Sequence, residues 1–286
     1  MGTVAPARAR RAQGVTDLLF TPRSASVSRR RRRLGAAPLF LALALAAGCG
    51  GNEGLIPGDV ADPDRYLFER GQEALTERHW LDAREYFGRI IDNYPQSTRR
   101  PAAKLGVADS FFGEGSTESL ILAANEYNEF LRFYPTHQRA DYAQYRLAMT
   151  YYEQMRAPER DQTNTLEALR ELERFRATYP QSDLLPEVEM KWREARSRLS
   201  EAVYLVGRHN LRRGALLGAF SRFQEVLEDD PGYPRRDLVY FYLAETQSRA
   251  DNKAEAIRYL ELLLSEFPES ERREEAAGRL EDLKAE

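Results

Sequence analysis

Cysteine is nearly missing from this chain: 286 residues hold one, Cys49, so no disulfide can close within it. The three histidines, His79, His137 and His209, lie far apart, and no Cys/His cluster has the spacing of a structural zinc site. There is no glycine-rich phosphate loop and no HExxH pair, and no serine, cysteine or lysine stands beside a base in a catalytic pattern. No enzyme is expected, and no cofactor or metal. The apolar run Leu34–Ala47 falls short of the ~20 residues that a membrane-spanning helix needs. Net positive charge is confined to the start. The first 48 residues carry nine arginines against the lone acid Asp17, so the formal −3 of the whole chain becomes −11 for the remainder. An acidic surface of that size argues against nucleic acid as a partner. With 30% charged and 42% hydrophobic residues, thin layers of helix are a better fit than one thick core.

What the chain does have is repetition. In Gly71–Pro95 an alanine (Ala83) is followed four residues on by a large apolar residue (Phe87) and twelve on by Pro95. The same spacing recurs at Ala123/Tyr127/Pro135, Ala168/Leu172/Pro180, Ala219/Phe223/Pro231 and Ala256/Leu260/Pro268. A small residue stands twenty-four before the proline in three of the five, as Gly71, Gly207 and Ala244. This pattern resembles the tetratricopeptide repeat, a helix–turn–helix unit of about 34 residues. Small residues let two helix backbones approach, the large side chain fills the gap, and the proline stops the second helix. The fold expected is all-α, a right-handed solenoid of five such repeats. A solenoid offers a groove for other polypeptides.

The start of the chain reads as a leader. Residues 1–28 show no apolar periodicity, and five arginines, Arg29–Arg33, precede the apolar run, as in a signal peptide. Leu45, Ala46, Ala47 and Gly48 before Cys49 are similar to the lipobox of bacterial lipoproteins. That resemblance implies cleavage before Cys49, S-diacylglycerol on its thiol and an N-acyl group. Several acyl chains, at ~0.8 kcal/mol per buried CH2, make a stable membrane anchor. Gly50, where an inner-membrane protein would carry Asp, implies sorting to the outer membrane. Because such leaders are usually shorter, translation is expected to begin further in, at a codon such as that of Val27.

The domains expected are a leader at 1–48, a flexible Gly/Pro-rich tether at 49–63, repeats one and two at 64–137, the third at 138–182, the fourth and fifth at 183–270, and a capping helix or tail at 271–286. Asp62 should cap the first helix, with Pro63 in its first turn. Helix pairs are predicted at Asp62–Glu77 and Trp80–Asn93, then Thr98–Phe112 and Thr117–Phe133, the latter two joined by a Gly113–Ser116 loop. Arg139–Met155 and Thr163–Thr178 follow, around a long turn at Arg156–Gln162. One long helix should run from Leu184 to a Gly214 stop, answered by Ala215–Asp229, and the last pair is Arg235–Arg249 and Asn252–Phe267.

Two stretches carry a more specific likeness. Phe133–Gln162 (FYPTHQRADYAQYRLAMTYYEQMRAPERDQ) and Arg212–Val226 (RRGALLGAFSRFQEV) resemble the BamD family, lipoproteins of the outer-membrane β-barrel assembly machine. The resemblance implies an anchor on the periplasmic face of the outer membrane and other Bam lipoproteins as neighbours. It also implies that the C-terminal repeats dock on the POTRA domain of a BamA-like barrel, and that the N-terminal repeats recognise nascent outer-membrane proteins. By the same resemblance, Arg222 and Arg213 fall at the partner-facing end. Arg222 suits either a partner carboxylate or an ion pair within the array. Tyr94 matches a family tyrosine of signal recognition, and Tyr134 occupies the same place one repeat on. Packing between repeats is the competing reading for both, since Tyr179 repeats them. Where the family has two tyrosines before RRG, this chain has His209-Asn210. A repeat lipoprotein that serves peptidoglycan or envelope-transport complexes is the alternative.

The lipobox reading has a direct check. Cys49→Ser should leave the chain soluble or stalled as a precursor on membrane fractionation, and a mature-sized product still held in the membrane would refute it.

Overall fold

Each proline of the repeat stops one helix and turns the chain into the next. The computed structural model describes residues 60–285, so the leader, Cys49 and most of the tether lie outside the described residues. Those residues form helices joined by turns, with no strand among them. The paired helices are α1 (Pro63–Thr76) with α2 (Trp80–Asn93), α3 (Arg100–Glu114) with α4 (Thr117–Phe133), and α5 (Ala140–Tyr152) with α6 (Thr163–Thr178). Then come α7 (Leu185–Arg212) with α8 (Leu216–Asp229), α9 (Arg236–Arg249) with α10 (Lys253–Glu266), and a closing helix α11 (Arg273–Ala285). Every helix packs on its neighbours in the chain, and α1 also meets α3 and α7 meets α9. That is the near-one-dimensional contact pattern of a solenoid.

The repeat signature is the core. Ala83, Ala123, Ala168, Ala219 and Ala256 are fully buried, as are Phe87, Tyr127, Leu172 and Phe223. The Phe87 ring lies between α1 and α3. A β-carbon added to Gly71 would stand 2.6 Å from that ring, and one added to Gly106 would be closer still. Phe223 blocks Gly207 in the same way at 2.7 Å. These glycines are there because no other residue lets the backbones pass an aromatic ring at that separation. The apolar clusters follow one another along the chain. The largest belongs to the last two repeats, where α11 adds buried Ala276 and packs Leu280 and Leu283.

Two helix ends differ from expectation. Gly113 remains helical in α3, because it gives room to the Trp80 ring, 2.5 Å from where a β-carbon would stand. The stop is Gly115, at φ +71°, and Ser116 accepts from the Ser119 N–H as the cap of α4. Helix α5 ends at Tyr152 rather than Met155, since Gln154 turns back to donate to the Thr150 carbonyl at 2.7 Å. The long turn that follows is tied to itself, with Gln162 Nε2 donating to the carbonyls of Ala157 (2.9 Å) and Arg160 (3.0 Å). Asp62 precedes α1 but makes no side-chain cap, its carboxylate lying 3.8 Å from Arg99. The Gly214 stop forms as expected, with Ala215 N–H bonded to the Asn210 carbonyl at 2.9 Å.

The turns after the second helices share one hydrogen-bond scheme. The residue two past each proline donates its N–H to the residue before it: Ser97 to Tyr94, His137 to Tyr134, Ser182 to Tyr179, Tyr233 to Asp230, Ser270 to Phe267. Where that residue is serine, its hydroxyl also reaches an aspartate at the start of the repeat's first helix. Ser97 donates to Asp64, Ser182 to Asp141 (2.6 Å) and Ser270 to Asp237 (2.5 Å). The same oxygens accept from the N–H groups of Arg99, Leu184 and Arg272 at the mouth of the next helix. One hydroxyl thus ties three helix ends, and before α3 and α7 it takes the place of the N-cap side chain that the helix lacks.

The glycines give opposite expectations. Gly106→Ala should destabilise by about 1–3 kcal/mol through overpacking against Phe87. Gly88→Ala, with nothing within 4 Å of its β-carbon, should stabilise by about 0.5–1 kcal/mol through helix propensity. Urea unfolding of the two variants reads both signs; equal effects would remove the close-approach argument.

The Asp64 carboxyl is drawn down from 3.8 to about 2 by hydrogen bonding with Asp62, then by the Ser97 hydroxyl and the Arg99 charge. A depressed carboxylate stabilises above its ordinary range and loses that contribution as pH falls through the folded value. Between about pH 4 and 2, Ser97→Ala should therefore lose stability less steeply than the native chain, as followed by circular dichroism. Identical slopes would show that the serine does not hold Asp64.

Candidate functional site

The tyrosines singled out by sequence sit where the second helices end. Tyr94 closes α2, half-buried, and packs on the cluster of Leu67, Phe87 and Ile90. Tyr134 closes α4, its ring 5.3 Å from Phe130, and Tyr179 closes α6 in the same way, 5.5 Å from Phe175. Arg100 joins the first two turns, donating to the Ile91 carbonyl at 3.2 Å and to the Tyr134 hydroxyl at 3.4 Å. Each ring therefore fills the seam between repeats and leaves one edge towards solvent. A ring held in that way can be offered to an aromatic ligand without loss of side-chain freedom. In the fourth repeat Asp230 takes the tyrosine's place. It is buried, held by Arg193 at 2.5 Å and by the Ser200 hydroxyl at 2.8 Å.

The arginines are far along the chain from these tyrosines. Arg213 is the exposed cap of α7, and Arg222 lies on α8 with an exposed ion pair to Glu225 at 2.5 Å. Such i,i+3 pairs hold little energy in water, so Arg222 remains available to a better carboxylate. Between the two arginines Leu217 is 88% exposed. Leu81, Ile121 and Leu166 stand at the same place in earlier second helices, two residues before the buried alanine, and are exposed as well. Arginine is among the residues that most often anchor a protein partner, and an exposed apolar neighbour adds contact area. The tyrosines and the arginines thus belong to different helix pairs and make two surfaces, not one site.

The structure also brings together residues that the sequence reading passed over. Asp109 on α3 accepts from the hydroxyls of Tyr127 (2.5 Å) and Tyr142 (2.8 Å), joining α3, α4 and α5. Arg146 completes the group, its Nε 3.3 Å from the Tyr127 hydroxyl and its guanidinium 3.6 Å from the centre of the Phe112 ring. Burial, and after it the Asp109 charge, pushes the Tyr142 phenol up to about 12. Tyr145 reaches across to Glu187 on α7 at 2.5 Å, and Lys191 stands 4.5 Å over the Tyr152 ring. Charged groups thereby fix a set of rings from α3 to α5, of which Tyr127 and Tyr145 are buried and Phe112, Tyr142 and Tyr152 half-buried. The sequence signal was present in the DYAQYR and TYY runs, but which rings share Asp109 depends on how helices stack.

A cleft of about 340 Å3 opens between two of the turns, lined by His137, Asp141, Tyr179 and Ser182. The Asp141 and Ser182 side chains there are already bonded to each other. Among the described residues no group of histidine, cysteine and carboxylate side chains could hold a metal ion. No helix among them is long and apolar enough to cross a membrane.

Comparison with known proteins places this geometry. The family described as "YfiO: Outer membrane lipoprotein" matches residues 60–255, most of the described array. A Caulobacter vibrioides protein named "Outer membrane protein assembly factor BamD" is 28% identical over 232 residues, covering 80% of this chain and 74% of the relative. A Rickettsia prowazekii protein of the same name is 24% identical over 212 residues, covering 74% of this chain and 83% of the relative. Among solved structures, the TPR2AB domain of yeast Sti1, in its pHSP90 complex, is 13% identical with a TM-score of 0.44, covering 78% of this chain and 83% of that one.

Proposed function

Because the chain belongs to the YfiO family of outer membrane lipoproteins, we propose that it is an outer membrane protein assembly factor that works as a scaffold and performs no chemistry of its own. In this reading, lipid on Cys49 holds it at the periplasmic face of the outer membrane and residues 49–63 act as the tether. The C-terminal repeats dock on the POTRA domain of a BamA-like barrel, with Arg222 and Arg213 facing it, and other Bam lipoproteins join the assembly. The N-terminal repeats, with Tyr94 and Tyr134, receive nascent outer-membrane proteins.

The observation that carries the reading is the family match over residues 60–255, which takes in all but the end of the repeat array. Physical features support it. Seam tyrosines with one free edge suit an aromatic-rich strand end. Exposed Leu217 between Arg213 and Arg222 suits a folded partner with an acidic rim. An acidic chain held near a membrane is also poorly placed to meet phosphate backbones.

Depleting the protein should lower the porins of the outer membrane and leave inner-membrane proteins unchanged, as measured by quantitative mass spectrometry of the two fractions. Porin levels that stay constant would remove the assembly function. For the docking surface, Arg222→Glu should reduce the recovery of the barrel partner on affinity purification by about tenfold or more. The helix content should be unaltered, because the ion pair lost, with Glu225, is exposed. Full recovery would take Arg222 out of the interface.

A further inference from the structure

Helix α7 is out of proportion to the rest of the array. It has 28 residues, about 42 Å of helix, where the first helices of the other pairs have 13 to 15. In α3 and α5 one stretch of helix meets both the preceding second helix and its own. Gly106 on α3 faces Phe87 of α2, while Lys104 and Asp109, within three residues of it, meet Glu129 and Tyr127 of α4. On α5, Arg146 meets Tyr127 of α4 and Gln144 meets Glu171 of α6. Helix α7 divides these tasks along its length. Val188, Glu189, Trp192 and Arg196 take the contacts with α6. The turn leading into α6 reaches α7 at Arg198, whose guanidinium lies 3.5 Å from the carbonyls of Met155 and Arg156. Ser200, Tyr204, Gly207 and Asn210 then take the contacts with α8 and its cap.

Past Arg198, no hydrogen bond, ion pair or ring contact joins α7 to α5 or α6 among the described residues. The side that continues the α6 contact there is apolar. Leu199, Ala202, Val203 and Val206 form it, at the three- and four-residue spacing of one helix face. Val206 is 47% exposed and the other three are half-buried. Ala202 stands seventeen residues before the buried Ala219 of its pair, as Gly106 does before Ala123. Gly106 receives the Phe87 ring of the preceding second helix; Ala202 receives none. The rim of this strip is basic. Arg212 and Arg213 have no carboxylate partner among the described residues, and exposed His209 lies beside them. The nearby acids are engaged or turned away: Glu225 with Arg222, Glu194 3.9 Å from Arg198, and Glu201 with Arg235 on the opposite side of α7.

We propose that this strip is the seat for one amphipathic helix of a partner protein, laid antiparallel to α7 where a preceding second helix would lie in an unbroken array. It rests on the docking reading of Arg213 and Arg222, and adds the form of what docks. The repeat itself describes the guest. A second helix sets a large apolar side chain on a small residue of the next first helix, as Phe87 does on Gly106. The guest therefore presents a large apolar residue to Ala202, and apolar neighbours three or four residues away to Leu199 and Val206. Arg212 and Arg213 favour a guest bordered by Asp or Glu. The chain after residue 48 sums to −11, so the same acidic helix is repelled elsewhere and its register is fixed here. A strand fits less well, because its side chains alternate between two faces.

The test uses the full chain in cells, with the photocrosslinker p-benzoylphenylalanine at Leu199 or Val206, and at Leu81 as a site outside the seat. After irradiation the barrel partner is recovered by affinity purification and its crosslinked residues are located by mass spectrometry. Both seat positions should crosslink to one stretch of it, in reverse order and about seven residues apart, where a strand would give about three. Leu81 should not reach that stretch. Ala202→Trp, which fills the seat, and Val206→Asp, which repels an acidic guest, should each cut recovery by about tenfold or more. Leu81→Asp should leave it unchanged. Thermal melts should stay close to the native one; if Ala202→Trp unfolds, Val206→Asp carries the test. A partner recovered without crosslinks at the seat, crosslinks at strand spacing, or full recovery with Val206→Asp would overturn the seat and leave docking at Arg222 standing. Failure of the native chain to recover the partner would remove the docking reading, and the seat with it.

Discussion

A phenyl ring passed between two helix backbones leaves no room for a β-carbon on either side, and much of the array follows from that. Phe87 needs Gly71 before it and Gly106 after it, and so couples three consecutive helices through one side chain. Phe223 makes the same demand of Gly207. Because each such contact reaches only the neighbouring helices, stability is assembled from local terms and the chain grows by addition of pairs. No residue at one end packs on the other. The last pair would therefore expose an apolar face, and α11, with Ala276 buried, covers it.

Hydrogen bonds then settle how one pair sits on the next. A serine two past the proline joins the start of its own repeat to the start of the following one, and where serine is missing another side chain does part of the work. His137 accepts from the Arg139 N–H at 3.1 Å, and Tyr233 reaches Glu201. These bonds are partly buried and shared among helix ends that would otherwise be unsatisfied, so they define an angle between repeats more than they add energy. The rings and arginines above them are held in place in consequence. A binding surface made of rigid aromatics and positioned guanidiniums loses little entropy when it meets a partner.

The chemistry of the surfaces is divided along the chain. Repeats one to three carry half-buried tyrosines, Tyr142 fixed by Asp109 and Tyr94, Tyr134 and Tyr179 by the seam packing. Repeats four and five combine exposed leucine with arginine on α8 and an aromatic cluster between α7 and α9. Two separated surfaces on one rod allow two polypeptides to be held at once, which is the geometry a scaffold needs and one that a closed pocket would not supply.

Much of this was legible before any coordinates. The alanine, the large residue and the proline recur at constant spacing because every repeat solves the same packing problem, and those alanines proved to be buried throughout. The long α7 was readable from the lack of breakers after Pro186, and the Gly214 stop from the cations before it. The end of α3 was misread, since Gly113 looks like a loop residue until Trp80 is seen to need its missing side chain. The Ser97–Asp64 and Ser182–Asp141 ties were invisible, because the two partners are separated by a whole helix pair. Sequence by itself determined the repeat, the number of pairs and the residues of each core, all of which rest on local periodicity. Only the tertiary structure decided which charges find partners and which, like Arg213, are left without, because pairing depends on distances between helices that no linear spacing records.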